Sequence, residues 1–278
     1  EDDLREETAM SDLFRIALGQ MTVAETGTEN LAKAVSLMKR GADAGARLLV
    51  LPEGVIARKP TDGAWSRKHA EPLDGPFVSG LLAATADIPI AVSCTVHEPS
   101  GAADGRVWNT HIVADGGKLL AAYRKLHLYD AFSGLESANV VPGDTVPPLV
   151  EIEGWKFGLE TCYDVRFPEL SKRLALDGAD AILLPAAWVR GSLKEMHWEI
   201  MARARALENT VYVAALSETS ARNIGCSMVV DPLGVPVSRA GAAEALITAD
   251  MSRSVLEDAR KVLPVLENMR FARPELKQ

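Results

Sequence analysis

Gly45-Ala46-Arg47-Leu48-Leu49-Val50-Leu51-Pro52 and Gly178-Ala179-Asp180-Ala181-Ile182-Leu183-Leu184-Pro185 share one pattern: a glycine, a short lead-in, and four apolar residues closed by a proline. Upstream of them, Phe14-Arg15-Ile16-Ala17-Leu18 resembles Trp155-Lys156-Phe157-Gly158-Leu159, so the same order returns about 130 to 140 residues later. In the first copy Phe14 to Met21 reads as a strand. A capping-box pattern, Thr26 to Glu29, then opens a helix with apolar positions at Leu31, Ala34, Val35, Met38 and Ala42, and Gly45 stops it. Leu48 to Leu51 is a continuous apolar run, the kind expected of a strand covered on both faces. In the second copy, Trp155 to Cys162, Glu169 to Leu176 and Ala181 to Leu184 repeat strand, helix and buried strand. This alternation predicts a layered α/β fold. Two similar halves can stack their sheets face to face with helices outside, giving a four-layer α-β-β-α sandwich with an internal pseudo-two-fold repeat.

The chain of 278 residues is 47% hydrophobic and 24% charged, enough apolar material to fill such a core. No Pro/Gly/Ser-rich linker or compositional break divides it, so residues 11–278 read as a single domain. Residues 1–10 read as a flexible, acidic N-terminal tail that lacks the basic start and apolar run of a secretory signal; Met10 reads as the natural first residue. A net charge of -8 disfavours nucleic acid and anionic membranes as partners, and no apolar run approaches the roughly 20 residues of a membrane helix. Three widely spaced cysteines, Cys94, Cys162 and Cys226, indicate neither a disulfide framework nor a zinc site, so a cytoplasmic location is expected. GxGxxG, GxxxxGKS/T, HExxH, CxxC and GxSxG are all missing, and neither a metal nor another cofactor is expected.

What remains are polar residues at the ends of apolar runs: Glu53 after Leu48 to Pro52, Lys125 after Leu119 to Tyr123, and Cys162 after Trp155 to Leu159. Catalytic groups are commonly mounted there. Taken singly, each is as readily a surface charge or a small core residue. Their local sequences, however, closely resemble the three motif regions of the carbon-nitrogen hydrolase, or nitrilase, superfamily: Leu51-Pro52-Glu53-Gly54, Tyr123-Arg124-Lys125-Leu126-His127-Leu128, and Gly158 to Glu169, which contains Cys162-Tyr163-Asp164-Val165-Arg166-Phe167-Pro168. The likeness extends through Val107-Trp108-Asn109-Thr110, Glu136-Ser137 with Pro142-Gly143, and His197-Trp198-Glu199 with Arg203 to Asn209.

The resemblance implies the α-β-β-α fold and a cysteine amidohydrolase. Cys162 would be the nucleophile, Glu53 the general base and acid, and Lys125 the cation beside the thiolate and oxyanion. The Tyr163 backbone N–H would be a second oxyanion donor, and Glu136 a second glutamate that positions these groups. Arg166 would face a substrate carboxylate and Trp188 would wall the pocket. Within the superfamily the pattern is most like the Nit-type amidases, which act on small carboxylate-bearing amides such as ω-amides of 2-oxo acids or deaminated glutathione. The segment Ala131 to Leu135 is shorter than in many relatives. An N-carbamoyl hydrolase or nitrilase using the same groups, and a non-catalytic binding protein, stay open. The expected partners are a small-molecule amide and a second copy of the chain, in a homodimer or larger homo-oligomer.

Overall fold

The computed structural model describes residues 12–132 and 134–277, so the reading of residues 1–10 as a tail lies outside the described residues. The first half supplies β1 (Leu13–Gln20), α1 (Gly27–Asp43), β2 (Leu48–Val50), a short α2 (Trp65–Lys68), α3 (Pro76–Asp87), β3 (Ala91–Pro99), β4 (Val107–Asp115) and β5 (Lys118–Arg124). The second supplies β6 (Val150–Ile152), β7 (Trp155–Leu159), α4 (Pro168–Leu176), β8 (Ala181–Ala186), α5 (Lys194–Leu207), β9 (Tyr212–Ser217), β10 (Met228–Val230) and β11 (Pro236–Arg239); β12 (Ala245–Ser252) and α6 (Arg253–Val262) follow.

The strands form two six-stranded sheets, β12-β1-β2-β3-β4-β5 and β6-β7-β8-β9-β10-β11. Position by position the sheets correspond. β1–β2–β3 and β7–β8–β9 are parallel, and the flanking pairs on both sides are antiparallel. Even the register is repeated: Ile16 pairs with Leu48, and their counterparts Phe157 and Ala181 pair with each other.

Side-chain alternation along each strand assigns the layers. Phe14, Ile16, Leu18, Leu48 and Val50 share a core with Phe157, Leu159, Ala181 and Leu183, the filling between the sheets. Their neighbours Ala17, Leu49 and Leu51 pack outward with Leu37, Met38, Phe77 and Leu81 of α1 and α3, while Ile182 and Leu184 pack outward with Trp198, Ala202 and Ala206 of α5. Each fully buried Leu, Ile or Phe contributes roughly 1.5–3 kcal/mol. The result is the four-layer sandwich expected from the repeat. At its centre the repeat-equivalent Phe14 and Trp155 meet across the sheets with ring centroids 5.9 Å apart, as residues related by a two-fold do near its axis.

Local signals act as their chemistry predicts. Thr26 caps α1 by accepting from the Glu29 N–H, although Glu29 pairs with Lys33 and only the Thr26 half of the capping box forms. Gly45 has φ +77°, the left-handed conformation that ends a helix at low cost for glycine. No described helix is long and apolar enough to cross a membrane.

Candidate active site

Three strand ends converge on one cavity of ≈ 280 Å³, lined by Glu53, Lys125, Glu136, Cys162 and Trp188 among others. Glu53 follows β2, where Gly54 N–H donates to Thr95 Oγ1 and Val55 N–H to the Thr95 carbonyl, tying the turn to β3. Lys125 follows β5. Its N–H donates to the Asn109 carbonyl at 2.9 Å and its carbonyl accepts from Gly143 N–H at 2.8 Å. Gly143 comes so close that a Cβ there would lie 2.2 Å from the Arg124 carbonyl oxygen, which explains the glycine of Pro142-Gly143.

Cys162 opens a 3₁₀ turn (Cys162–Arg166) directly after β7, with φ +46°. A non-glycine residue in that region carries strain on the order of 1–3 kcal/mol. Two bonds hold it there: Asp164 N–H donates to the Thr161 carbonyl, closing the turn, and Thr161 N–H donates to Asp164 Oδ2. Asp164 also accepts from the Tyr123 hydroxyl at 2.9 Å, from His127 N–H at 3.1 Å, and pairs with His127 Nδ1 at 2.8 Å. One buried carboxylate therefore joins the cysteine turn to both sides of Lys125. The His127 ring is stacked on Phe167 at 3.8 Å.

The polar cluster is almost fully satisfied. Lys125 Nζ donates to Glu53 Oε1 at 3.0 Å and Glu136 Oε2 at 2.8 Å, leaving one of its three donors for another group. Asn109 Nδ2 donates to Glu53 Oε1 at 2.8 Å and reaches Glu136 Oε1 at 3.3 Å. Glu53 Oε2 accepts from Ala187 N–H at 2.8 Å, and Glu136 Oε2 from Tyr129 N–H at 2.7 Å. Arg58 donates to the Glu53 carbonyl at 2.7 Å and pairs with buried Glu218 at 2.7 Å.

Electrostatics follows from this packing. Burial pushes the Glu53 carboxyl up, but Lys125, Arg58 and the hydrogen bonds outweigh it and hold Glu53 at about 2. Burial pulls the Lys125 ammonium down, and Glu136, Glu53 and Cys162 reverse this, leaving it well above its ordinary value. The Cys162 thiol is driven well above its ordinary value by burial and by the Glu53 charge, against the pull of Lys125. These directions favour a thiol beside a carboxylate and an ammonium.

The structure brings Glu53, Lys125, Glu136, Cys162 and Trp188 onto one cavity, but not Arg166 or the Tyr163 side chain. The Arg166 guanidinium is turned aside: it lies 4.9 Å from the Trp188 ring, and Nη2 is 3.5 Å from His197 Nδ1. It also lies 5.9 Å from the Phe132 ring and 6.0 Å from the Tyr163 ring, and its buried Nε has no hydrogen-bond partner among the described residues. Tyr163 packs edge-on against Tyr129 and Phe167. Its N–H is in the first turn of a 3₁₀ segment, where the amides have no acceptor within the helix.

Sequence reasoning missed Asn109, Arg58, Asp164 and Lys194. Asn109 and Asp164 stood inside the motif stretches without a role. Lys194, a cavity residue at the start of α5, carries a signal in retrospect, because a cation is disfavoured at a helix N-terminus. Among the described residues no cluster of three or more His, Cys, Asp or Glu is arranged to hold a metal.

This fold and cluster define a carbon–nitrogen hydrolase: the carbon-nitrogen hydrolase family model matches residues 15–261, and the chain belongs to that family. Among its relatives, the chain is 43% identical to a deaminated glutathione amidase of Escherichia coli O157:H7 over 94% of this chain and 99% of the relative. It is 32% identical to the deaminated glutathione amidase of Bos taurus, over 95% and 84% of the two chains. The crystal structure of Saccharomyces cerevisiae Nit3, a member of branch 10 of the nitrilase superfamily, superposes with a TM-score of 0.82 at 30% identity, covering 94% of this chain and 98% of that one.

Proposed function

We propose that this carbon–nitrogen hydrolase is a cysteine amidase that cleaves a small, carboxylate-bearing amide through a thioester on Cys162. The observation that carries the reading is the Glu53–Lys125–Glu136 cluster beside Cys162 on one cavity. With the thiol held high and Glu53 held low, a free thiolate is disfavoured at rest, so the proton leaves only as sulfur attacks the amide carbon. Glu53 Oε2, with one acceptor site unused by Ala187, receives it. The charge that develops on the carbonyl oxygen is taken up by the remaining Lys125 donor and the Tyr163 N–H, two groups already in place before reaction. Glu53 then gives the proton to the departing nitrogen, the C–N bond breaks, and the amine or ammonia leaves. Water enters, gives a proton to Glu53 and adds to the thioester carbon; collapse expels the Cys162 sulfur, which regains the proton. The net change is amide plus water to carboxylic acid plus amine. Glu136 and Asn109 hold Lys125 and Glu53 at their posts throughout.

Charge supports an anionic substrate. Six basic side chains (Arg58, Lys59, Arg67, Lys125, Lys194, Arg222) line the cavity against three acidic ones (Glu53, Asp62, Glu136); Arg58 and Lys59 are paired with Glu218 and Glu25 behind the wall, so the positive excess falls on Arg67, Lys194 and Arg222. A desolvated carboxylate binds where such a positive site is prepared. The amidase names of the relatives point to the same class, which includes ω-amides of 2-oxo acids and deaminated glutathione.

The partner we propose is a second copy of the chain. Met196, Ile200 and Leu207 on the outer side of α5, with Leu233 of the β10–β11 turn, line one surface groove and are exposed. Apolar side chains exposed beside the Glu199–Arg203–Arg239 ion pairs of the same groove are the composition we take for an association surface. All three cysteines are free, in keeping with the reducing cytoplasm as the working compartment.

The reading is tested by mass spectrometry of the protein quenched seconds after mixing with a panel of small acid amides. An acyl adduct on Cys162, absent in Cys162→Ala together with product release, is expected. Turnover by Cys162→Ala would reject it. Carbon dioxide released alongside ammonia would instead identify a carbamoyl substrate.

A further inference from the structure

We infer that the Lys194 ammonium, presented beside the Tyr129 hydroxyl, is the group that reads the carboxylate on the acyl part of the substrate. This rests on the amidase reading above and assigns the residue responsible for specificity.

Lys194 is 4% exposed and lines the catalytic cavity. Among the described residues its Nζ has one hydrogen-bond partner, the neutral Tyr129 hydroxyl at 2.9 Å, and no carboxylate within salt-bridge range. Aromatic faces surround it instead: Phe132 at 3.7 Å, Tyr129 at 5.1 Å and Trp188 at 5.7 Å from Nζ. An ammonium has three donors, and two of these are unanswered. Burying such a charge without an anion is costly. Its place at the first position of α5 adds to the cost, because the positive end of the helix dipole repels a cation and attracts an anion. An incoming carboxylate answers both.

The other cavity cations are committed. Arg58 is paired with Glu218, Lys59 with Glu25, and Lys125 with Glu53 and Glu136. Arg67 and Arg222 donate to the backbone carbonyls of Asp104 and Pro60. Arg166 is outside the cavity lining but lies against the same rings, Trp188 at 4.9 Å and Phe132 at 5.9 Å, and is the rival cation that the test separates from Lys194.

Tyr129 joins the two places: its N–H donates to Glu136 of the catalytic cluster and its hydroxyl meets Lys194. The substrate this assigns is an amide whose acyl chain ends in a carboxylate, the monoamide of a dicarboxylic acid.

The test compares glutaramate with pentanamide, which has the same chain with a methyl in place of the carboxylate. In the wild type, kcat/KM should favour glutaramate at least tenfold. In Lys194→Met that ratio should fall by about ten- to a hundredfold, the range for loss of a hydrogen bond to a charged group, and Lys194→Arg should restore part of it. An unchanged ratio in Lys194→Met, or a collapse in Arg166→Met but not in Lys194→Met, overturns the assignment. Calorimetry of glutaramate binding to Cys162→Ala, with and without Lys194→Met, needs no turnover. Its Kd should rise at least tenfold; equal Kd values, or no binding to Cys162→Ala, overturn the assignment. Tight, Lys194-dependent binding without ammonia release by the wild type would count against the amidase reading alone.

Discussion

Replacing Asp164 by alanine removes the carboxylate that joins the cysteine turn to the lysine loop. Its two oxygens answer Thr161 N–H, His127 N–H, the Tyr123 hydroxyl and His127 Nδ1 at 2.8–3.1 Å. The hydroxyl can rotate and the imidazole can change tautomer, but the two main-chain N–H groups cannot move. Each orphaned buried donor costs about 1–3 kcal/mol, so Asp164→Ala should lose about 3–5 kcal/mol. At about 2–4 °C per kcal/mol for a large domain, Tm should drop by about 6–20 °C. Asparagine keeps one acceptor oxygen and, whichever way its amide faces, strands one main-chain N–H; its loss should be about half. Differential scanning calorimetry checks the order wild type, asparagine, alanine. Activity measured well below both transitions should show kcat falling more than KM rises, since Asp164 sets the mutual position of Cys162 and Lys125 and touches no substrate. An Asp164→Ala protein melting within about 2 °C of the wild type would refute the reasoning.

Glu160 gives a pH test: burial pushes its carboxyl up to about 8, from an ordinary value of 4.5. Between these values the folded chain keeps a proton that the unfolded chain has lost, so this residue makes stability fall as pH rises from about 4.5 to 8, by up to about 4 kcal/mol. Glu160→Gln should therefore match the wild type in urea unfolding near pH 4.5 and surpass it at pH 8; parallel curves would refute this. For the assembly, Met196→Glu combined with Ile200→Glu should convert a dimer to a monomer of about 30 kDa in sedimentation, and a wild-type monomer at micromolar concentration would reject the interface.

The layers were legible in the sequence because apolar runs and glycine-closed helices of helical period are local properties. Leu48 to Leu51 could be assigned to a doubly covered strand from its continuous apolar run alone, Phe14 to Met21 to a strand beside it, and the repeat supplied the second sheet. Glu53, Lys125 and Cys162 were singled out because each closes an apolar run inside a stretch that resembles one of the three family motifs. The environment of Arg166 was not. Its direction depends on Trp188 and His197, which belong to segments beyond the motif and are brought near by β8 and α5. Lys194 escaped for the same reason: its isolation among aromatic rings from three separate segments exists only after folding. Nor does any local pattern reveal that β12 joins β1.

That last pairing bears on how the protein is made. Leu13 lies opposite Ser252 and Gln20 opposite Ala245, whereas β1 to β5 need nothing beyond residue 124 to pair among themselves. During synthesis the first sheet thus waits, with β1 as an open edge, until nearly the whole chain has left the ribosome. An exposed edge is a template for pairing with other chains, and closing so long a loop is slow. The second sheet has no such delay, since β6 and β7 are joined by a two-residue turn. A nascent chain or a C-terminal truncation ending before Ala245 is therefore the form most exposed to aggregation, and the last strand acts as the clasp that ends the hazard.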